Sequence, residues 1–199
     1  MQHTKLVILG RDGVLNQFRE GHVTAPDEWV PIPGALEAVA RLNHAGWHVV
    51  VATNQSGIGR GMIDMSAVNA VHARMNTLLQ AEGGRLDAVF FCPHTPEEGC
   101  NCRKPQPGLL LDIGRRYGID LGPVPMVGDT LRDLQAALAA GCEPHLVLSG
   151  RAAQLGGPAL QAMLDAAPGT TVHANLGEFV DFMQRRSGGV PDSGSGGLG

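Results

Sequence analysis

Two groups of residues in this 199-residue chain have the types and the spacing to do chemistry. The first is a series of short polar clusters beside apolar runs or helical patterns: Gly10-Arg11-Asp12, Thr53-Asn54-Gln55-Ser56-Gly57, Arg103-Lys104-Pro105, and Gly128-Asp129 with Asp133. The hydroxyl of Thr53, with nearby backbone N–H groups, can hold phosphoryl oxygens through neutral hydrogen bonds. Lys104 can set a point charge against negative charge that develops during a reaction. Asp12 can protonate a leaving oxygen and later activate water. Asp129 offers a hard oxygen ligand for Mg2+, an ion that takes few carboxylates together with substrate phosphate. The same residue could instead cap the helix after it, and Asp133 could either be a further metal ligand or stabilise that helix's first turn.

The second group is Cys92-Pro-His94 and Cys100-Asn-Cys102. Three thiolates and one imidazole suit a closed tetrahedral Zn2+ site. The intervening residues 95–99 are polar and lack apolar periodicity, so a metal rather than a core would order the loop 92–102. Four protein ligands leave no open position, which makes such a site structural rather than catalytic. The remaining thiol, Cys142, follows an Ala-rich helical pattern and reads as a small buried hydrophobe.

These clusters need a scaffold, and the pattern between them supplies one. Candidate strands run over 5–9, 48–52, 88–91, 124–127, 145–148 and 171–173. Helical patterns lie at 34–45, 66–82, 107–117, 131–140 and 176–185. Pro33 and Pro107 suit first turns, and Gly46, Gly83 and Gly141 suit helix stops. Alternation at this spacing predicts an α/β fold: a central parallel sheet with helices on both faces, joined by right-handed crossovers. In such sheets ligands bind beyond the carboxyl ends of the strands, where the polar clusters fall. Residues 1–186 form one expected domain. The Gly/Ser-rich segment 187–199 reads as a disordered tail, and 150–169 shows no readable pattern.

Bulk composition narrows the classes of function. The chain is 43% apolar and 17% charged, ordinary for a soluble domain, and its net charge of −4 argues against a nucleic-acid surface. No apolar run is long enough to span a membrane, and the run Leu6–Leu9 is too short for a signal-peptide core. A cytoplasmic monomer is the expectation.

The four clusters, in this order and at these strand ends, resemble the four motifs of the haloacid-dehalogenase (HAD) phosphohydrolases over roughly residues 4 to 148. The strings Asp12-Gly-Val-Leu-Asn16, Thr53-Asn-Gln-Ser-Gly-Ile-Gly-Arg-Gly61 and Cys102-Arg-Lys-Pro-Gln-Pro-Gly108, with the zinc loop, are similar to the D-glycero-D-manno-heptose-1,7-bisphosphate 7-phosphatases. Histidinol-phosphate phosphatases share that loop. The resemblance implies a Rossmann-like HAD fold without a large cap, with Mg2+ and Zn2+ as cofactors. It further implies removal of the 7-phosphate of a small phosphosugar, on the way to lipopolysaccharide precursors, through an aspartyl-phosphate. By the same resemblance Asp12 is the acid/base, Thr53 and Lys104 stabilise the phosphoryl group, and Asp12 and Asp129 bind Mg2+. Arg11, Arg19, Glu20, Gly21, His22, Asn54, Gln55, Ser56 and Arg103 would face substrate. One departure stands out: the family's nucleophilic aspartate is replaced here by Gly10. The readings are therefore a heptose bisphosphatase, a histidinol-phosphate phosphatase, or a non-catalytic phosphosugar-binding relative.

Overall fold

A run of apolar, often β-branched residues sends successive side chains to opposite faces of a strand, so burial on both sides calls for apolar residues at every position. The first strand, β1 (Leu6–Leu9), is buried throughout. Val7 and Leu9, with Val49 and Val51 of β2 (His48–Asn54), enter one hydrophobic cluster. Leu6 and Ile8, with Val50 and Ala52, enter another on the opposite face. The computed structural model, which describes residues 4–188, closes this into a six-stranded sheet. Its remaining strands are β3 (Ala88–Cys92), β4 (Pro125–Gly128), β5 (Glu143–Val147) and β6 (Thr171–His173). The order is β3-β2-β1-β4-β5-β6, and every neighbouring pair is parallel.

Helices cover both faces. The first cluster takes residues from α1 (Ala35–His44) and α3 (Met65–Ala81) and from the last helix, α7 (Leu176–Gly188). The second takes Leu109, Leu110 and Ile113 from α4 (Gly108–Tyr117) and Ala137 from α5 (Leu131–Ala140). Cys142 lies in this cluster as an apolar side chain, and burial pushes its thiol up to about 12. The strand order reverses at β1, between β2 and β4, which opens a crevice at the carboxyl ends of these strands.

Strands and long helices fall within three residues of their expected limits. Two helices were not expected. A single turn, α2 (Ser56–Gly59), carries two glycines and hides its helical character. The other, α6 (Gly157–Asp165), lies in the segment that showed no pattern. None of its residues is fully buried, and only Leu160, Met163 and Leu164 pack against Leu134, Leu146, Ala152 and Ala167. Pro158 in its first turn was the one usable signal. The expected tail starts two residues inside α7, and from 189 onward it lies outside the described residues.

A buried histidine pair on β5 and β6 gives the fold an acid-sensitive joint. The rings of His145 and His173 stack, with Nδ1 of His145 3.0 Å from Nε2 of His173, under Phe179 and Phe182. Burial and then the neighbouring His173 push His145 down to about 4. Glu143 opposes this shift and Arg186 adds to it. The folded-state pKa lies below the unfolded value, so the unfolded chain takes up the proton first. Stability is thus present above about pH 6.5 and is lost as pH falls toward 4. We expect the unfolding free energy from urea titrations to fall across that window, by about 3 kcal/mol in all. His145→Phe should flatten the slope; an unchanged slope would place the acid sensitivity elsewhere.

Candidate active site

The crevice gathers side chains from the ends of four strands. Asp12 follows β1, and its carboxylate is held from three directions. Asn16 Nδ2 donates to Oδ1 at 2.9 Å, the Arg11 guanidinium donates to Oδ1 at 3.1 Å, and Gln55 Nε2 donates to Oδ2 at 3.3 Å. Burial raises this carboxyl, but the Arg11 charge and the Asn16 hydrogen bond outweigh it and hold Asp12 below its ordinary value. Arg11 is itself buried and donates from Nη1 to His72 Nε2 at 3.3 Å. Burial, and then the Arg11 charge, push His72 down to about 4, so its ring is neutral and can accept that bond.

Thr53 and Asn54 end β2. Gln55 Nε2 donates to Thr53 Oγ1 at 3.0 Å. The Asn54 side chain accepts from the Lys104 backbone N–H and donates to the Lys104 carbonyl, both at 3.0 Å, so it fastens the 103–107 loop to the sheet. The Lys104 ammonium donates to the Ala52 carbonyl at 2.8 Å and pairs with Asp133 Oδ1 at 2.6 Å. Asp133 Oδ2 accepts from the backbone N–H groups of Asp129 and Thr130 and from the Thr130 hydroxyl. Burial raises this carboxyl, and the Lys104 charge overrides burial and brings it to about 2. Asp133 therefore orients Lys104 and closes the first turn of α5.

Asp129 is almost fully buried, and both its oxygens accept from Arg151, a residue the sequence reading passed over. The approach depends on glycine at two places. A Cβ at Gly13, where φ is +83°, would overlap the Asp129 carboxylate. A Cβ at Gly150 would overlap the same carboxylate and lie 2.6 Å from Gly13 Cα.

The cleft above these residues is lined by Gly10, Asp12 and Thr53, and by six cationic side chains against two acidic ones. The cations are Arg11, Arg19, Arg103, Lys104, Arg132 and Arg151; the acids, Asp12 and Asp133, are both paired. Of the residues expected to face substrate, Arg11, Arg19, His22, Asn54, Ser56 and Arg103 line it. Gln55 supports Thr53 and Asp12 from behind, and Glu20 and Gly21 are exposed outside the lining. Phe18, Arg132 and Arg151 line it without having been singled out. The usable signal for Arg151 was its place just after a strand, directly following a glycine.

Beside the cleft, Cys92, His94, Cys100 and Cys102 converge, with all four donor atoms within 4.8 Å of one another. Their contacts run from 2.8 Å (Cys102 to Cys92) to 3.5 Å (Cys100 to each of the other two thiols). Three thiols and His94 Nδ1 turned toward one point fit a tetrahedral Zn2+. Arg103 Nη1 donates to the His94 carbonyl, which ties this loop to the cleft wall.

Fold and cleft define a HAD-type phosphohydrolase, and residues 101–179 match the HAD-hydrolase-like family model. The chain is 57% identical over 146 residues to the D-glycero-beta-D-manno-heptose-1,7-bisphosphate 7-phosphatase of Bordetella bronchiseptica, a match covering 73% of this chain and 82% of that one. The enzyme of the same name from Pseudomonas aeruginosa is 50% identical over the same shares. The crystal structure of the B. bronchiseptica phosphatase complexed with magnesium and phosphate superposes with a TM-score of 0.87. It is 48% identical and covers 92% of this chain and 99% of its own. The chain belongs to the D-glycero-beta-D-manno-heptose-1,7-bisphosphate 7-phosphatase family, a family of phosphoric monoester hydrolases.

Magnesium is the ion of that relative's complex. In this chain Gly10 offers no side chain, and both Asp129 oxygens are engaged by Arg151. The residues as they stand do not fit a tightly held Mg2+.

Proposed function

We propose that the cleft binds D-glycero-D-manno-heptose 1,7-bisphosphate with its 7-phosphate against Thr53 and Lys104, and that Gly10 leaves the ester bound and uncleaved. The observation that carries this reading is the set of six cationic side chains lining one cleft of a protein whose net charge is −4. Arg11, Lys104, Arg151 and Arg19 pair with carboxylates, which leaves an excess of two, Arg103 and Arg132, without an acidic partner among the described residues. A substrate with two phosphates matches that excess better than one with a single phosphate and an amine. Thr53 Oγ1 is held in place by Gln55 and keeps its own hydrogen to donate. Lys104 is oriented by Asp133 and Ala52, so its charge is in place before substrate arrives.

Formation of an aspartyl-phosphate requires a carboxylate at position 10 to attack phosphorus as the sugar oxygen leaves with a proton. Two carboxylates nearby in sequence are already engaged. Asp12 is committed to Arg11, Asn16 and Gln55, and Glu28 is committed to Thr24 and Arg19. On this reading the chain is a cytoplasmic monomer, and among the described residues no helix is long and apolar enough to cross a membrane.

Calorimetry with heptose 1,7-bisphosphate and histidinol phosphate tests the proposal. The bisphosphate should bind at least about tenfold more tightly, a difference of about 1.4 kcal/mol. Tighter binding of histidinol phosphate would move the chain to that substrate. Steady release of inorganic phosphate by the unmodified chain would overturn the assignment of Gly10.

A further inference from the structure

A buried carboxylate without a partner is costly, and Asp129 lies at the bottom of a phosphate-binding cleft where one would be costlier still. The chain meets this need internally. Arg151 Nε donates to Asp129 Oδ2 and Nη2 donates to Oδ1, both at 2.9 Å, the two-pronged geometry a guanidinium makes with a carboxylate. The Arg151 backbone N–H donates to Oδ2 as well, also at 2.9 Å. Nη2 further reaches the Asp12 carbonyl at 3.5 Å, and the guanidinium carbon sits 4.6 Å over the Phe18 ring. The side chain is thus fixed by a carboxylate, a carbonyl and an aromatic face. Gly13 and Gly150 leave the room that brings it there. Nη1 donates no hydrogen bond among the described residues, yet Arg151 lines the cleft, so two N–H groups remain for an incoming anion.

We propose that Arg151 is the resident cation of this site: its guanidinium stands between Asp129 and the Asp12 carbonyl, neutralises the buried carboxylate, and offers Nη1 to a phosphate oxygen. Phosphate binding then needs no Mg2+, and an arriving Mg2+ must compete with Arg151 for Asp129. Gly10 belongs to the same arrangement. Removing one carboxylate leaves Asp129 as the acid that a single positive charge can balance. The inference rests on the reading of the cleft as a phosphosugar site.

The test is calorimetric binding of inorganic phosphate to zinc-loaded protein in magnesium-free buffer, prepared without a chelator so that the zinc loop is spared. The unmodified chain should bind phosphate, and millimolar Mg2+ should change its Kd little. Arg151→Ala should lose about tenfold or more in affinity. It should regain part on addition of Mg2+, and its melting temperature should rise with Mg2+ where that of the unmodified chain does not. Arg151→Lys keeps the charge without the fork and should fall between the two, which guards against misfolding of the alanine variant. Equal phosphate affinity in Arg151→Ala and the unmodified chain, without Mg2+, would overturn the proposal. So would binding that appears only in Gly10→Asp with Mg2+. Phosphate that binds none of these proteins under either condition would overturn the substrate reading itself.

Discussion

Gly10→Asp should raise phosphatase activity toward heptose 1,7-bisphosphate by several orders of magnitude in the presence of Mg2+. Loss of a nucleophile in a comparable covalent mechanism costs on the order of 10⁶ in kcat, because binding and electrostatics survive while the attacking atom does not. The surviving parts are all in place here: Thr53, Lys104 held by Asp133, and Asp12 held by Arg11 and Asn16. The backbone at Gly10 does not adopt the left-handed conformation, and a Cβ there would meet Val14 Cγ2 at 3.1 Å and the Val127 carbonyl at 3.5 Å. Val14 Cγ2 must shift by a few tenths of an ångström to admit the new Cβ. The backbone gain of replacing glycine is about 1 kcal/mol at most, so folding should change little. The new carboxylate joins Asp12, Asp129 and Asp133, whose cationic partners Arg11, Arg151 and Lys104 are already paired, so activity of the variant should depend on Mg2+. Parent activity equal to that of the variant, measured as phosphate release, would show that the nucleophile lies elsewhere.

Removal of zinc should be the most damaging single change to stability. Structural zinc sites in small peptides have apparent binding free energies of roughly 10–16 kcal/mol, much of which is folding free energy. In this chain residues 95–99 between the ligands are polar, so the loop is anchored only where Cys92 ends β3 within the core and Cys100 and Cys102 pack against it. We expect one Zn2+ per chain by elemental analysis. Cys100→Ala should lose most of it, and cleavage by a protease should then appear between 92 and 102. The effect should reach the cleft, because Arg103 donates to the His94 carbonyl and Lys104 follows it directly. Full zinc retention in Cys100→Ala would refute the ligand assignment.

The sheet was legible because burial on two faces forces an apolar run at each strand, and because both parallel pairing and the crevice follow from strand–helix alternation. The zinc ligands were legible for a different reason: three thiols and an imidazole gathered around a polar loop are the donor set of a tetrahedral zinc site, and the structure also packs Cys92, Cys100 and Cys102 against the core. Glu20 and Gly21 were drawn from a segment of the family pattern, and sequence adjacency cannot say which of four neighbouring residues turns inward. Here Arg19 and His22 do. Arg151 escaped because arginine after a strand is common, and its meaning lies in Asp129, 22 residues earlier, and in two glycines from separate loops. Helix α6 escaped because its apolar side chains are only half covered, which leaves no clean stripe.

The positive cleft set in a negative molecule also shapes how fast a ligand is caught. A small polyanion arriving at the mouth meets a field concentrated between low-dielectric walls. Capture is then faster than random collision would allow, and added salt slows it, since the Debye length shrinks from about 10 Å at 0.1 M to about 3 Å at 1 M. Escape responds less, because the contacts that hold the phosphate lie inside the screened distance. Salt therefore weakens binding here chiefly through the association rate, and a stopped-flow titration would separate the two.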